Sequence, residues 1–218
     1  MRRDPGRRRT YRSRAARRRR SLLIACIVLS LAGLVLATGR SGGRGRERVT
    51  YDRRAAAAYA DQWALRTNPR YWSSPESDCA NFVSQCLAAG GLRPLSDPGM
   101  EWHANRTELP TLAWVNCIAQ KSSLSRRAAT HSRAIVRTAA APLRDWATGD
   151  VVYLGNIVEG KVEWQHVIVC VGKKARAWVY DSHTVAHLRQ PLELWYPAHF
   201  SLIRHCHIAD AVSYAKGE

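Results

Sequence analysis

The hydrophobic period of this 218-residue chain changes at Gly149, and that change constrains the fold more than any other feature. Before it, the apolar spacing is helical. Tyr51, Ala55, Ala58, Tyr59, Gln62, Trp63 and Leu65 predict a helix over 51–66, which Asn68-Pro69 ends. Asp78 caps a second helix, in which Phe82, Val83, Cys86 and Leu87 follow Cys79 at helical spacing and Gly90-Gly91 is the stop. Thr111 to Gln120 reads as a short helix, and 121–141 as loop followed by a short strand or helix around Ile135-Val136. After Gly149 the period is two. Val151 to Leu154, Val162 to Val171, Ala177 to Ser182 and Phe200 to His207 read as strands, with Gly172-Lys173-Lys174 as a hairpin turn and Pro191 to Leu194 as a short strand or turn. Helices first and strands second is an α+β pattern, with helices packed on an antiparallel sheet.

The chemistry concentrates on the second helix. A cysteine in the first turn has its thiolate favoured by the helix dipole and by unpaired backbone N–H groups. Cys79 is therefore the candidate nucleophile, and its own backbone N–H the default oxyanion donor. A base is needed, because an ordinary thiol stays protonated at neutral pH. His166 heads a strand on which Ile168 and Cys170 share its face, while Val167, Val169 and Val171 share the other. A third polar group should fix the imidazole tautomer. A hairpin at 172–174 would bring His183 beside His166, and Asp181, on the face of His183, is the alternative.

The run DCANFVSQCLAAGG at 78–91 resembles the signature of the putative amidase domain family, which is similar to the NlpC-type and CHAP-type cell-wall hydrolases. Further matching stretches are Tyr51-Asp52-Arg53-Arg54-Ala55, Asn68-Pro69-Arg70-Tyr71, Gly149-Asp150-Val151-Val152 and Asp181-Ser182-His183-Thr184, so the likeness runs from roughly 50 to 205. The resemblance implies a papain-like fold, with the cysteine helix packed on the sheet that carries the histidine. It also implies a polar residue on the next strand as the orienting group, which again points to His183. Tyr71 or Asn68, shortly before the cysteine, would by the same resemblance supply a second oxyanion donor.

Charge and hydropathy divide the chain. Residues 1–20 hold eleven arginines and one aspartate; 39–50 hold four arginines and one glutamate. Of the formal +17, only +4 remains for 51–218, a mildly basic domain compatible with an anionic wall polymer. Between the two basic segments, 21–38 is an uncharged apolar run long enough to span a bilayer, as signal-anchor or signal peptide. The expected organisation is an Arg-rich cytoplasmic tail (1–20), a membrane span (21–38), a flexible Gly/Arg linker (39–50) and an extracytoplasmic domain (51–218), secreted if the span is cleaved. The tail has no aromatic residue except Tyr11 to stack on bases, so nucleic acid is not the expected partner.

Six cysteines include Cys26 inside the span, leaving five in the exported part and at least one free thiol. Cys79 and Cys86, two helical turns and about 10 Å apart, are beyond disulfide reach. Without a C-x-x-C pair no zinc site is expected, and alternation in His205-Cys206-His207 puts the histidines on one face and the cysteine on the other. Trp72 and Trp102, both in loops, could line a sugar or peptide groove. The expectation is a cysteine amidase or peptidase acting on a peptide or peptidoglycan-like amide without metal or cofactor. A non-catalytic wall-binding module on the same fold is the alternative.

Overall fold

The structure, a computed structural model, describes residues 46–96, 98–99, 101–104, 109–130, 135–137 and 146–215. In chain order the elements are β1 (Arg46–Thr50), α1 (Arg53–Trp63), α2 (Cys79–Ala89), α3 (Leu112–Val115), α4 (Cys117–Thr130), β2 (Ile135–Arg137), β3 (Val151–Val158), β4 (Lys161–Lys174), β5 (Ala177–Ser182), β6 (His187–Pro191), α5 (Leu192–His199), β7 (Leu202–Ile208) and β8 (Ala211–Ala215). Six strands form one antiparallel sheet in the order β2-β7-β3-β4-β5-β6, and β1 pairs with β8 as a separate ribbon. The expected mixture of helices and antiparallel sheet is present.

Local chemistry explains the two helices that matter most. The Asp52 carboxylate caps α1 by accepting from the N–H groups of Arg54 and Ala55. Ala56, Ala57 and Ala60 then present a small buried face that lets α1 approach its neighbours closely. Every residue of α2 from Cys79 to Leu87 is buried, so it is the central helix rather than a surface one. Its polar side chains are paired inside. Asn81 donates to the Trp72 carbonyl and accepts from Trp114, Ser84 donates to the Trp114 carbonyl, and Gln85 accepts from Tyr59.

The sheet separates two cores. Val151, Tyr153, Val167, Val169 and Val179 face α1 and α2. Val152, Leu154, Ile168, Cys170, Trp178 and Tyr180 face the other way, against Trp146, Leu192 and Phe200. From His166 to Cys170, strand alternation therefore assigns each side chain of β4 to a side, while the register shift before His166 turns Trp164 to the helix-side core.

Several boundaries differ from the sequence reading. Arg46–Thr50, expected as part of the linker, is β1, because β8 supplies its hydrogen-bond partners. Strand β4 runs through Gly172 and Lys173 to Lys174, and the turn falls at Ala175-Arg176. Gly172, with φ of +145°, sits instead at a register shift in the β4–β5 pairing. Helix α4 continues ten residues past Gln120, and 192–199 is a helix that carries Pro197 inside it. Trp102 is fully buried, with its ring N–H on Ser84 Oγ at 2.9 Å, so it lines no groove. The expected span 21–38 lies outside the described residues, among which no helix is long and apolar enough to cross a membrane.

Candidate functional site

The N-cap of α2 does not cap. Asp78 precedes Cys79, but its carboxylate makes no bond to the first-turn N–H groups. Asp78 Oδ2 lies 2.7 Å from His183 Nδ1, while Oδ1 accepts from Ser74 N at 3.1 Å and Asn81 Nδ2 at 2.8 Å. The backbone N–H of Asp78 donates to Thr184 Oγ1 at 2.8 Å. His183 Nε2 lies 2.8 Å from the Trp63 carbonyl oxygen, and its ring stacks on Phe82 at 4.1 Å and 17°. Both ring nitrogens face acceptors, so both donate in this arrangement. A cleft of about 170 Å³ opens beside these groups, lined by Ala64, Arg66, Ser74, Asp78, His183 and Thr184 among others.

Cys79 is the first residue of α2 and is 6% exposed. Burial pushes its thiol pKa up, and the neighbouring Asp78 charge adds to this. The N–H groups of Val167, Ala80 and Cys79 itself pull the other way without overcoming burial. A helix start alone was expected to favour the thiolate; in this setting desolvation wins.

The Cys79–His166 pair expected from the sequence is not assembled. Val167 packs with Cys79 in the helix-side core, so His166, the preceding residue of the strand, points through the sheet to the far side. There it pairs across from Leu154, and its ring lies parallel to Phe200 at 6.2 Å. Burial, helped by His187, lowers its pKa to about 4, and the ring is neutral at physiological pH. Neither expected orienting group reaches it. His183 is bound to Asp78 at the α2 N-terminus. Asp181 accepts from the Arg189 N–H at 2.6 Å on the helix side, where its charge acts on Cys86 of α2. Burial first, then the neighbouring Asp61, raises its pKa to about 7, against the backbone bond from Arg189.

The two expected oxyanion side chains are also committed elsewhere. Asn68 donates to Tyr59 Oη at 2.8 Å, and Tyr59 passes the chain on to Gln85. Tyr71 stacks on Trp114 at 6.0 Å. The N–H groups of the first α2 turn remain as the donors at the sulfur. Sequence reasoning missed Asp78 as the partner of His183, along with Thr184 and the Trp63 carbonyl. Asp78 and His183 are 105 positions apart, and no local pattern links them.

A second polar cluster lies between α1 and β7. Asp150 is fully buried and accepts from His205 Nε2 at 2.6 Å and His207 Nδ1 at 3.1 Å. These donor atoms lie close enough together to hold a metal ion. Arg53 already supplies the cation: its Nη1 is 2.9 Å from Asp150 Oδ1, and Nη2 reaches His207 Nε2 and the Ile208 carbonyl. As alternation requires, Cys206 lies on the opposite face, in the helix-side core.

A mixed α+β domain with a cysteine at the start of its central helix and an Asp–His pair beside it defines the class. The sequence pattern of the putative amidase domain family matches residues 50–202, and the chain belongs to that family. It is 29% identical over 140 residues to the uncharacterized protein YhbB of Bacillus subtilis (strain 168), covering 61% of this chain and 42% of that protein. It is 39% identical over 72 residues to the uncharacterized protein YjcM of the same strain, covering 33% of this chain and 15% of that protein. The chain thus spans less than half the length of either relative. No solved structure matches it.

Proposed function

We propose that the chain is a cysteine-dependent amidase or peptidase whose nucleophile is Cys79 and whose base is His183, held by Asp78. Family membership supports amide hydrolysis. The observation that carries the assignment of residues is the diversion of the Asp78 carboxylate from the helix N-terminus to His183 Nδ1. That single displacement gives the histidine a carboxylate partner and leaves the N–H groups of Cys79 and Ala80 uncapped beside the sulfur. In the reaction, His183 first gives its Nε2 proton to solvent as the ring leaves the Trp63 carbonyl, and the neutral imidazole then takes the thiol proton. Cys79 Sγ bonds to the amide carbonyl carbon, and the oxyanion accepts from the first-turn N–H groups. The C–N bond then breaks, with the proton passing to the departing amine. Water, deprotonated by the same histidine, cleaves the thioester and releases the acid.

The basic flank and apolar run at 1–38 support a membrane-tethered or secreted enzyme, and the resemblance to NlpC-type and CHAP-type hydrolases supports a peptide amide of the cell wall as its substrate. A papain-like arrangement of the domain accords with a cysteine helix packed on an antiparallel sheet.

The test is digestion of purified peptidoglycan, and of short amide-bonded muropeptides, by the full chain, with mass analysis of the products. Cys79→Ser and His183→Ala should each remove hydrolysis, and the double variant should be no worse than either alone. His166→Gln should retain turnover. Full activity in Cys79→Ser would end the reading, and loss in His166→Gln with retention in His183→Ala would return the base to His166. Binding of the wall polymer without any cleavage would favour a non-catalytic module.

A further inference from the structure

We infer that Thr184 is a positioning residue of the amidase site: its hydroxyl, held out by a left-handed backbone, locks the α2 N-terminus against the turn that carries His183. The inference rests on the assignment of His183 and Asp78 above. Two observations carry it, one conformational and one geometric. Thr184 has φ of +74°, a region that a β-branched residue occupies only under strain. Nothing in a surface turn from 183 to 186 requires threonine for packing, since the residue is exposed. Glycine would adopt the same backbone without steric cost. Yet the threonine hydroxyl accepts the Asp78 N–H at 2.8 Å, across 106 positions of sequence. Strain of this kind persists where the surrounding structure overdetermines the residue, and such residues cluster at functional sites.

The geometry says what the hydroxyl is for. The turn and the helix start are joined twice, by His183 Nδ1 to Asp78 Oδ2 and by Asp78 N–H to Thr184 Oγ1. The imidazole is itself held at Nε2 by the Trp63 carbonyl and by stacking on Phe82, so the second bond acts on the turn, fixing it against the helix start. Two bonds, from adjacent residues of the turn to the carboxylate and the backbone N–H of the one aspartate, fix both the distance and the twist. The same turn is closed internally by Ser182 Oγ on the Val185 carbonyl at 2.7 Å, so the clamp is mounted on a preformed support. Thr184 also lines the cleft with Asp78 and His183, so a loosened clamp acts directly at the wall of the site.

The test compares Thr184→Gly with Thr184→Ser in the full chain. Glycine relieves the left-handed strain and deletes the acceptor, and serine keeps the acceptor. Thr184→Gly trades relieved left-handed strain against a lost hydrogen bond and a more flexible unfolded chain, so it should still fold with Tm within a few degrees of wild type, lose turnover by about tenfold or more with KM changed less than about twofold, and show a displaced pH limb in kcat/KM. Thr184→Ser should restore most of the rate. A merely structural threonine would give the reverse, with glycine harmless to kcat. A second readout needs no turnover. The 15N resonance of His183 Nδ1 should report a bound carboxylate over the same pH range in wild type and Thr184→Ser, and lose that signature in Thr184→Gly. Full activity together with an unchanged His183 resonance in Thr184→Gly overturns the inference. If no amide is cleaved by the wild type, the amidase reading fails and the resonance still decides the role of Thr184.

Discussion

At the scale of single residues, Asp78 shows how a site can be made from a helix-capping position. Its backbone sits at the cap of α2, but its carboxylate serves His183, Ser74 and Asn81. An aspartate that capped would satisfy one or two N–H groups and add of order 1 kcal/mol to the helix. Asp78→Asn separates the two duties. The amide oxygen can keep accepting from Ser74 and Asn81, while its NH2 faces His183 and holds the ring in the tautomer with the proton on Nε2. That proton already points at the Trp63 carbonyl. The ring can then no longer accept the thiol proton, so turnover should fall by at least about a hundredfold, in line with loss of a carboxylate partner in other triads. Thermal stability should move by only a degree or two, as read by a melting curve beside single-turnover kinetics. The sequence made Cys79 and its helix start legible, because caps, spacing and glycine stops are local signals. The role of Asp78 was hidden because its partner comes from a turn 105 residues away.

At the scale of elements, the parity of β4 was readable and its sense was not. Alternation placed His166, Ile168 and Cys170 on one face and the valines on the other, as found. Which face receives α2 depends on packing across the sheet. Helix α2 takes the all-valine face, and the face bearing His166 is closed by Trp146, Leu192 and Phe200. Helix α5, which supplies Leu192, was missed because Pro191 and Pro197 break its pattern; Pro191 stands at the cap, where proline is tolerated. The register of β3 on β4 adds a test. The pairing shifts between Leu154 and Gly155, and a Cβ on Gly155 would lie 2.3 Å from the Glu163 carbonyl oxygen. That neighbour is backbone and cannot rotate away. Gly155→Ala should therefore destabilise the domain by about 1–3 kcal/mol and lower Tm by several degrees. An unchanged melting temperature would show that the strand pair can slide, and the face assignment of His166 would lose its support.

At the scale of the whole molecule, two buried groups on opposite sides of the sheet oppose each other in pH. His166 has its pKa lowered from 6.5 to about 4 by burial, so the unfolded chain binds its proton more readily between those values. Its effect is that stability rises with pH through that window and is lost as pH falls below 6.5. Asp181 has its pKa raised from 3.8 to about 7 by burial and by Asp61, against the opposing N–H and charge of Arg189. The folded chain therefore holds its proton between 3.8 and 7, and stability falls as pH rises through that range. The two slopes have opposite sign, each approaches about 1.4 kcal/mol per pH unit at most, and they overlap between about 4 and 6.5. The native protein should thus show little net slope there from this pair. Substitution uncovers each limb. The stability of the wild type minus that of His166→Gln should rise from pH 4 to 6.5, and the wild type minus Asp181→Asn should fall over pH 4 to 7. Urea titrations at half-unit steps measure both differences and cancel the pH-independent cost of each substitution. If both differences are flat, His166 and Asp181 are hydrated in the native state, and the two closed cores on either side of the sheet would have to be redrawn.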